Sequence, residues 1–132
     1  MTTTSSGMPG GVPGQTPGVQ LVCDLVSRIP EFRDVYDNHV LHQGGVLPHV
    51  FFWDVVQSTV RSFLGEAPGA ADWRRILAFL EEQSCRGVLG VDEVIVTSFL
   101  NDLPSPQEPG HAIVRQLGPV MAARFGRIRP LG

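Results

Sequence analysis

Prolines and glycines divide this 132-residue chain into short segments, and most segments repeat their apolar residues at helical spacing. The first such segment spans about residues 19–29, where Leu21, Leu25 and Ile29 fall at every fourth position. A stretch with one apolar face is typical of an amphipathic α-helix, which must bury that face against other elements. The recurring pattern predicts an all-α fold, either a compact bundle or a helical-repeat-like stack of about six helices.

Proline, glycine and aspartate also mark helix boundaries. Pro30 and Pro48 suit the first turn of a helix, where the missing N–H costs nothing. Gly44, followed by a second glycine, is expected to end the helix that Pro30 begins. Asp72 can cap the fourth helix through its side chain. These signals place the second, third and fourth helices.

The last two helices are less regular in sequence. Residues 91–103 contain a β-branched run, but their apolar residues recur every four positions and no second strand is available to pair with them. The pattern therefore favours a helix over a strand. A final helix is expected over about residues 111–125, with a kink at Pro119, whose ring removes one backbone hydrogen bond.

The third helix is the most apolar of the set and is expected to be central. Its polar side consists of Asp54, Gln57 and nearby hydroxyl and guanidinium groups. The following residues are all expected to face inward: Phe51, Phe52, Trp53, Val55, Val56, Thr59, Val60 and Phe63.

The two ends of the chain differ from the middle. Residues 1–18 are rich in Gly, Pro, Ser and Thr and carry no charged side chain, a composition that predicts a disordered tail. We expect a single helical domain over 19–128 and a short C-terminal tail over 129–132. Residues 1–18 lack the basic and apolar regions of an export signal. No apolar run in the sequence approaches the roughly 18 residues of a membrane span. The expected location is therefore cytoplasmic.

Histidines form the strongest polar cluster. His39 and His42 lie three residues apart on one helix and could offer two imidazoles to a metal, with His49 and Asp54 nearby. However, the sequence has neither H-E-x-x-H nor a pair of E-x-x-H motifs. A structural role is favoured and no cofactor is expected, while a metal-dependent or acid–base enzyme built on these four residues remains an alternative.

Other catalytic signatures are missing from the sequence. All ten basic residues are arginine, which removes Schiff-base lysines and the phosphate-binding loop that ends in Gly-Lys. Ser98 has no G-x-S-x-G setting. The residues favour a non-enzymatic protein.

Charge is distributed unevenly along the chain. The net charge is −3, yet no acid follows Glu108. The four arginines of the last stretch could contact phosphate or an acidic surface, so a nucleic-acid-associated regulatory domain is a second alternative, although the acidic remainder would repel nucleic acid. These arginines are Arg115, Arg124, Arg127 and Arg129.

An ordered set of short motifs over about residues 20–122 resembles a family of small, uncharacterised all-helical bacterial domains common in actinobacteria. The motifs include Pro-Glu-Phe at residues 30–32, Leu-Pro-His at 47–49, Ser-Phe-Leu-Asn-Asp-Leu at 98–103 and Leu-Gly-Pro at 117–119. The resemblance implies no enzyme activity. By analogy it implies an immunity or accessory protein that acts beside a toxin.

The leading hypothesis is a cofactor-free protein-binding module. Its partner would be a protein, such as a toxin or another product of a neighbouring gene, whose basic surface meets the acidic body of this chain. A membrane is not expected as partner. The candidate contact residues are Asp34, Tyr36, Asp37, His39, His42, His49, Asp54, Glu81 and Glu82.

Overall fold

The computed structural model describes residues 16–66 and 71–132, and every regular element in these ranges is helical. This confirms the all-α prediction, including a helix rather than a strand after residue 88. Six α-helices are present in the described ranges: α1 (Pro17–Arg28), α2 (Arg33–Gln43), α3 (Pro48–Phe63), α4 (Trp73–Cys85), α5 (Leu89–Ser98) and α6 (Pro119–Ile128). Three 3₁₀ segments join them: Pro30–Phe32, Leu100–Asp102 and His111–Gln116.

The helix boundaries follow local chemistry where the sequence predicted them. The Asp72 carboxylate accepts a hydrogen bond from the Arg74 N–H at 3.0 Å and caps α4. Gly44 ends α2 with φ 74°, a left-handed conformation that glycine adopts without steric cost. Pro48 occupies the first turn of α3.

The first helix begins earlier than predicted. The Thr16 hydroxyl accepts from the Val19 N–H at 3.2 Å, so Pro17 and Gly18 belong to α1 rather than to the tail expected over 1–18. Gly18 is buried, and a Cβ at this position would lie 3.1 Å from the Pro48 Cγ. The disordered tail is otherwise predicted for residues 1–15, which lie outside the described residues.

The prediction of a single kinked helix over about residues 111–125 is wrong. A 3₁₀ segment ends at Gln116, then Leu117 and Gly118 are extended, with ψ of 141° and 170°. Proline disfavours α conformation in the residue before it, and Pro119 therefore starts a new helix instead of kinking an old one. The chain end is also held in place, because the Arg129 guanidinium donates to the Gly132 carbonyl at 3.0 Å.

Helices α3 and α5 lie at the centre of the core: α3 packs against α1, α2, α4 and α5, and α5 packs against α1, α3 and α4. Phe51 is fully buried, and its ring meets those of Phe32, Tyr36, His39 and Phe52 edge-on. The aromatic contacts join the first 3₁₀ segment, α2 and α3. None of the described helices is long and apolar enough to cross a membrane.

Candidate functional site

His39 is a buried structural residue. Its Nε2 accepts a hydrogen bond from the Leu47 N–H at 3.0 Å, and its ring packs edge-on against Phe51 at 5.5 Å between centroids. Only 6% of His39 is exposed. The imidazole lone pair is therefore used to fix the turn between α2 and α3.

The other two histidines of the cluster lie apart from each other. His42 is exposed, and its Nδ1 donates to the Asn38 carbonyl at 2.8 Å. His49 points to α5, where its Nδ1 is hydrogen-bonded to the Ser98 hydroxyl and lies 3.3 Å from the Thr97 hydroxyl. Within residues 16–66 and 71–132, no group of three or more His, Cys, Asp or Glu side chains could hold a metal ion.

His39, His42 and Asp54 do share a cleft of about 390 Å³ between α2 and α3, which we call the α2–α3 cleft. Val50 also lines it. The structure thus brings together three of the four residues of the predicted metal or acid–base site, but not His49.

The remaining candidates on α2 differ in exposure. Asp34 and Asp37 are exposed, whereas Tyr36 is half-buried with its ring edge-on against Phe51 at 6.1 Å between centroids. Burial raises the pKa of the Tyr36 phenol. The two carboxylates remain available for a partner, whereas much of the tyrosine ring is used in packing.

Glu81, one of the candidate contact residues, binds the start of α6. Its carboxylate accepts hydrogen bonds from the Val120 N–H at 2.8 Å and the Met121 N–H at 3.0 Å, at the start of α6. The first N–H groups of a helix have no partner within the helix, so a carboxylate there satisfies them and offsets the helix dipole. The Glu81 carboxylate therefore joins α4 to the first turn of α6.

Glu82, by contrast, is exposed. It pairs with Arg28 at 3.3 Å, and the hydrogen bond from that guanidinium lowers the pKa of the carboxyl. The pair is screened by solvent and contributes little to stability.

Two of the four C-terminal arginines also serve the fold. Arg124 forms an ion pair with Asp92 at 2.8 Å, and Arg129 donates to the carbonyls of Leu103 and Pro104. Arg115 and Arg127 are exposed. The basic surface that the nucleic-acid alternative requires is thus reduced to two exposed side chains in this stretch.

Among the exposed apolar side chains of the described residues, three lie close together in sequence at the start of α3. Leu47 is 44%, Val50 45% and Trp53 57% exposed. The prediction that Trp53 faces inward is wrong. At 100° per residue, Leu47 and Val50 fall on the same side of α3 as Asp54. Because the sequence analysis assigned Asp54 to the solvent-exposed side of this helix, its position could have predicted that Leu47 and Val50 are exposed.

A second cleft is lined by Trp53 itself. It has a volume of about 400 Å³, and the loop after α5 contributes Asp102, Pro104 and Glu108 to its lining. We call Leu47, Val50 and Trp53 the α3 ridge, and this second depression the loop cleft. Val50 of the ridge thus lines the first cleft and Trp53 the second, and each cleft carries at least one carboxylate.

Comparison of the chain with protein-family models, with curated proteins and with solved structures found no match. The resemblance to the actinobacterial helical domains stays a prediction. What the protein does has to be inferred from its surface.

Proposed function

We propose that this chain is a small cytoplasmic protein-binding module, an immunity-like or accessory protein that binds a partner protein and neutralises or regulates it. The observation that carries the proposal is the exposure of Trp53. Phe51, two positions earlier on the same helix, is fully buried, whereas more than half of the tryptophan surface meets solvent. Tryptophan is strongly enriched among the residues that dominate the energy of protein interfaces.

The neighbours of Trp53 support the same function. Val50 lies one helical turn before it, and Leu47 lies at the turn that leads into α3, so three exposed apolar side chains fall within residues 47–53. Apolar groups that cluster on a surface with a polar rim are typical of interaction sites. Asp54 supplies part of that rim.

The charge of the chain favours a basic partner. Asp34 and Asp37 are exposed on α2, and Asp54 lies beside the ridge on α3. An acidic face speeds association with a basic surface and discriminates against acidic ones. A toxin or another protein encoded by an adjacent gene is the proposed partner.

The test uses the purified products of the genes adjacent to the one that encodes this chain. Each product is titrated against the full chain by calorimetry, with Trp53→Ala and Leu89→Ala as the paired variants. Leu89 is 84% exposed at the start of α5 and is not part of the ridge, so it controls for loss of an exposed apolar side chain.

We expect one neighbour-encoded protein to form a complex that Trp53→Ala weakens by about tenfold or more, equivalent to roughly 1.4 kcal/mol, and that Leu89→Ala leaves unchanged. The proposal fails if no adjacent product binds. It also fails if the Trp53→Ala variant, shown to be folded by circular dichroism, binds as the unmodified chain does.

A further inference from the structure

The two clefts beside the α3 ridge differ in charge from three other clefts of the described surface. The α2–α3 cleft is lined by Asp54, the loop cleft by Asp102 and Glu108, and neither is lined by an arginine. The three other clefts each contain at least one of Arg28, Arg74 and Arg86. Each of the two clefts is thus lined by at least one carboxylate and by no arginine, with two histidines in the α2–α3 cleft and Arg129 near Glu108 of the loop cleft.

The carboxylates of the loop cleft are available to a cation. Glu108 is exposed, and its Oε1 accepts a hydrogen bond from the Ser105 N–H at 2.7 Å, which holds the side chain in place. The same hydrogen bond lowers the pKa of Glu108, so the carboxylate is charged at neutral pH. Asp102 is also exposed. The cleft therefore presents two carboxylates beside the Trp53 ring.

The nearest arginine on the same helix does not neutralise this arrangement. Arg61 lies almost two turns beyond Asp54 along α3 and lines neither cleft. Val50 lines the α2–α3 cleft, and Trp53 and the exposed Gln57 line the loop cleft. A ligand that covers Val50 and Trp53 would therefore meet the Asp54 carboxylate in one cleft and the carboxylates of Asp102 and Glu108 in the other.

We infer that the α3 ridge binds a protein segment with two basic side chains, one for each cleft, and an apolar side chain between them that covers Trp53 and Val50. This inference rests on the proposed function and names the chemistry of the partner. The two clefts flank one helix, whose width with side chains is about 10 to 12 Å, and this sets the separation of the two basic groups. On a helical segment that separation corresponds to residues i and i+7. Arginine fits best, because its planar guanidinium can donate two hydrogen bonds to one carboxylate.

The test is a selection of random short peptides displayed on phage against the full chain, followed by fluorescence anisotropy with the enriched peptides. Three variants report on the ridge and its clefts: Trp53→Ala, Asp54→Asn, and Asp102→Asn combined with Glu108→Gln. Each amide removes the charge and keeps one acceptor oxygen, which can still accept from the Ser105 N–H in the case of Glu108→Gln, while an NH2 group replaces the other oxygen. Asp24→Asn is the matched control, because Asp24 lines a cleft that also contains Arg86.

We expect enriched peptides to carry two arginines or lysines about two helical turns apart around an apolar residue, with binding that weakens as salt rises. Either set of charge-removing variants should lower affinity by about tenfold, and Asp24→Asn should not. Peptides that depend on Trp53 but ignore the carboxylates would overturn this inference and leave the proposed function standing. Peptides that ignore Trp53 as well, or no enrichment at all, would overturn both.

Discussion

At the scale of single residues, Glu81 illustrates how a side chain on the surface of one helix can become part of another. Its carboxylate reaches the backbone N–H groups of Val120 and Met121, and its Oε2 also lies 3.8 Å from the Cys85 thiol. The following residue, Glu82, points to solvent and pairs with Arg28. Two adjacent acids in the sequence thus have different roles.

Replacement of Glu81 by alanine is expected to lower the free energy of unfolding by about 1 to 2 kcal/mol, the usual effect of losing a helix N-cap. Glu82→Ala is the control and should change stability much less, because an exposed ion pair is screened by water and salt. Urea denaturation of the two variants measures both effects. Equal losses in the two variants would contradict the capping role.

Gly118 is the position where a side chain would displace this cap. A Cβ there would lie 2.5 Å from the Glu81 Cδ, so Gly118→Ala must push the carboxylate away from α6. We expect Gly118→Ala to destabilise the unmodified chain but to have little further effect in the Glu81→Ala background. A double-mutant cycle by urea denaturation measures this coupling, and additive losses would show that the cap is not what the new methyl group disturbs.

At the scale of elements, the end of α6 is attached to the loop after α5 by one guanidinium. Arg129 donates to backbone carbonyls of Leu103 and Pro104 and stacks over the Phe125 ring at 5.0 Å. Backbone carbonyls near a helix end need donors, and the arginine fork provides several at once. The loop that carries Asp102 and Glu108 is thereby positioned beside α3.

Arg129→Ala is expected to cost about 1.5 to 3 kcal/mol of stability, the range for hydrogen bonds from a charged group. Arg127→Ala removes the same charge from an exposed side chain and serves as the matched control. Thermal unfolding by circular dichroism distinguishes them. A loss of similar size in both variants would show that charge, and not the contacts of Arg129, is what matters.

The loop after α5 is also expected to respond to pH through Glu108. Its pKa lies below the usual value of 4.5 because the Ser105 N–H donates to the carboxylate. A group with a lowered pKa stabilises the folded state above its unfolded pKa and loses that contribution as the pH falls through the folded one. The stability difference between the unmodified chain and Glu108→Gln should therefore be present at pH 6 and shrink below about pH 4.5. A difference that is constant across this range in urea denaturation would contradict the assignment.

At the scale of the whole molecule, adjacent side chains of α3 change abruptly from fully buried to exposed. Phe51 and Phe52 are fully buried, and Trp53 directly after them is exposed. The first 3₁₀ segment and α2 cover one side of α3, while the loop after α5 leaves a cleft on the other. The fold therefore presents α3 both as its central support and as a surface.

This division predicts opposite outcomes for two aromatic residues of the same helix. Phe51→Ala should lower the free energy of unfolding by about 3 to 5 kcal/mol, because it empties a site surrounded by four rings. Trp53→Ala should change stability far less. Equilibrium denaturation compares them directly, and a large loss for Trp53→Ala would mean that the tryptophan serves packing instead of binding.

The sequence by itself determined the helical class and several helix boundaries. Periodic apolar residues, the Asp72 cap and the left-handed Gly44 act over a few neighbouring positions, and interactions of that range can be derived from the chain alone. The sequence also indicated the exposure of Asp34 and Asp37. It misplaced the break at Pro119, because the extended conformation of Leu117 and Gly118 outweighed the helical pattern around them.

Tertiary structure alone decided which polar and aromatic groups remain at the surface. The Glu81 cap spans 39 residues, the contact between His49 and Ser98 spans 49, and the exposure of Trp53 depends on where α2 and the loop after α5 come to lie. No local pattern encodes such distances. A helix has a fixed period, but which of its sides is covered depends on the arrangement of all its neighbours, and that arrangement is set only when the core packs.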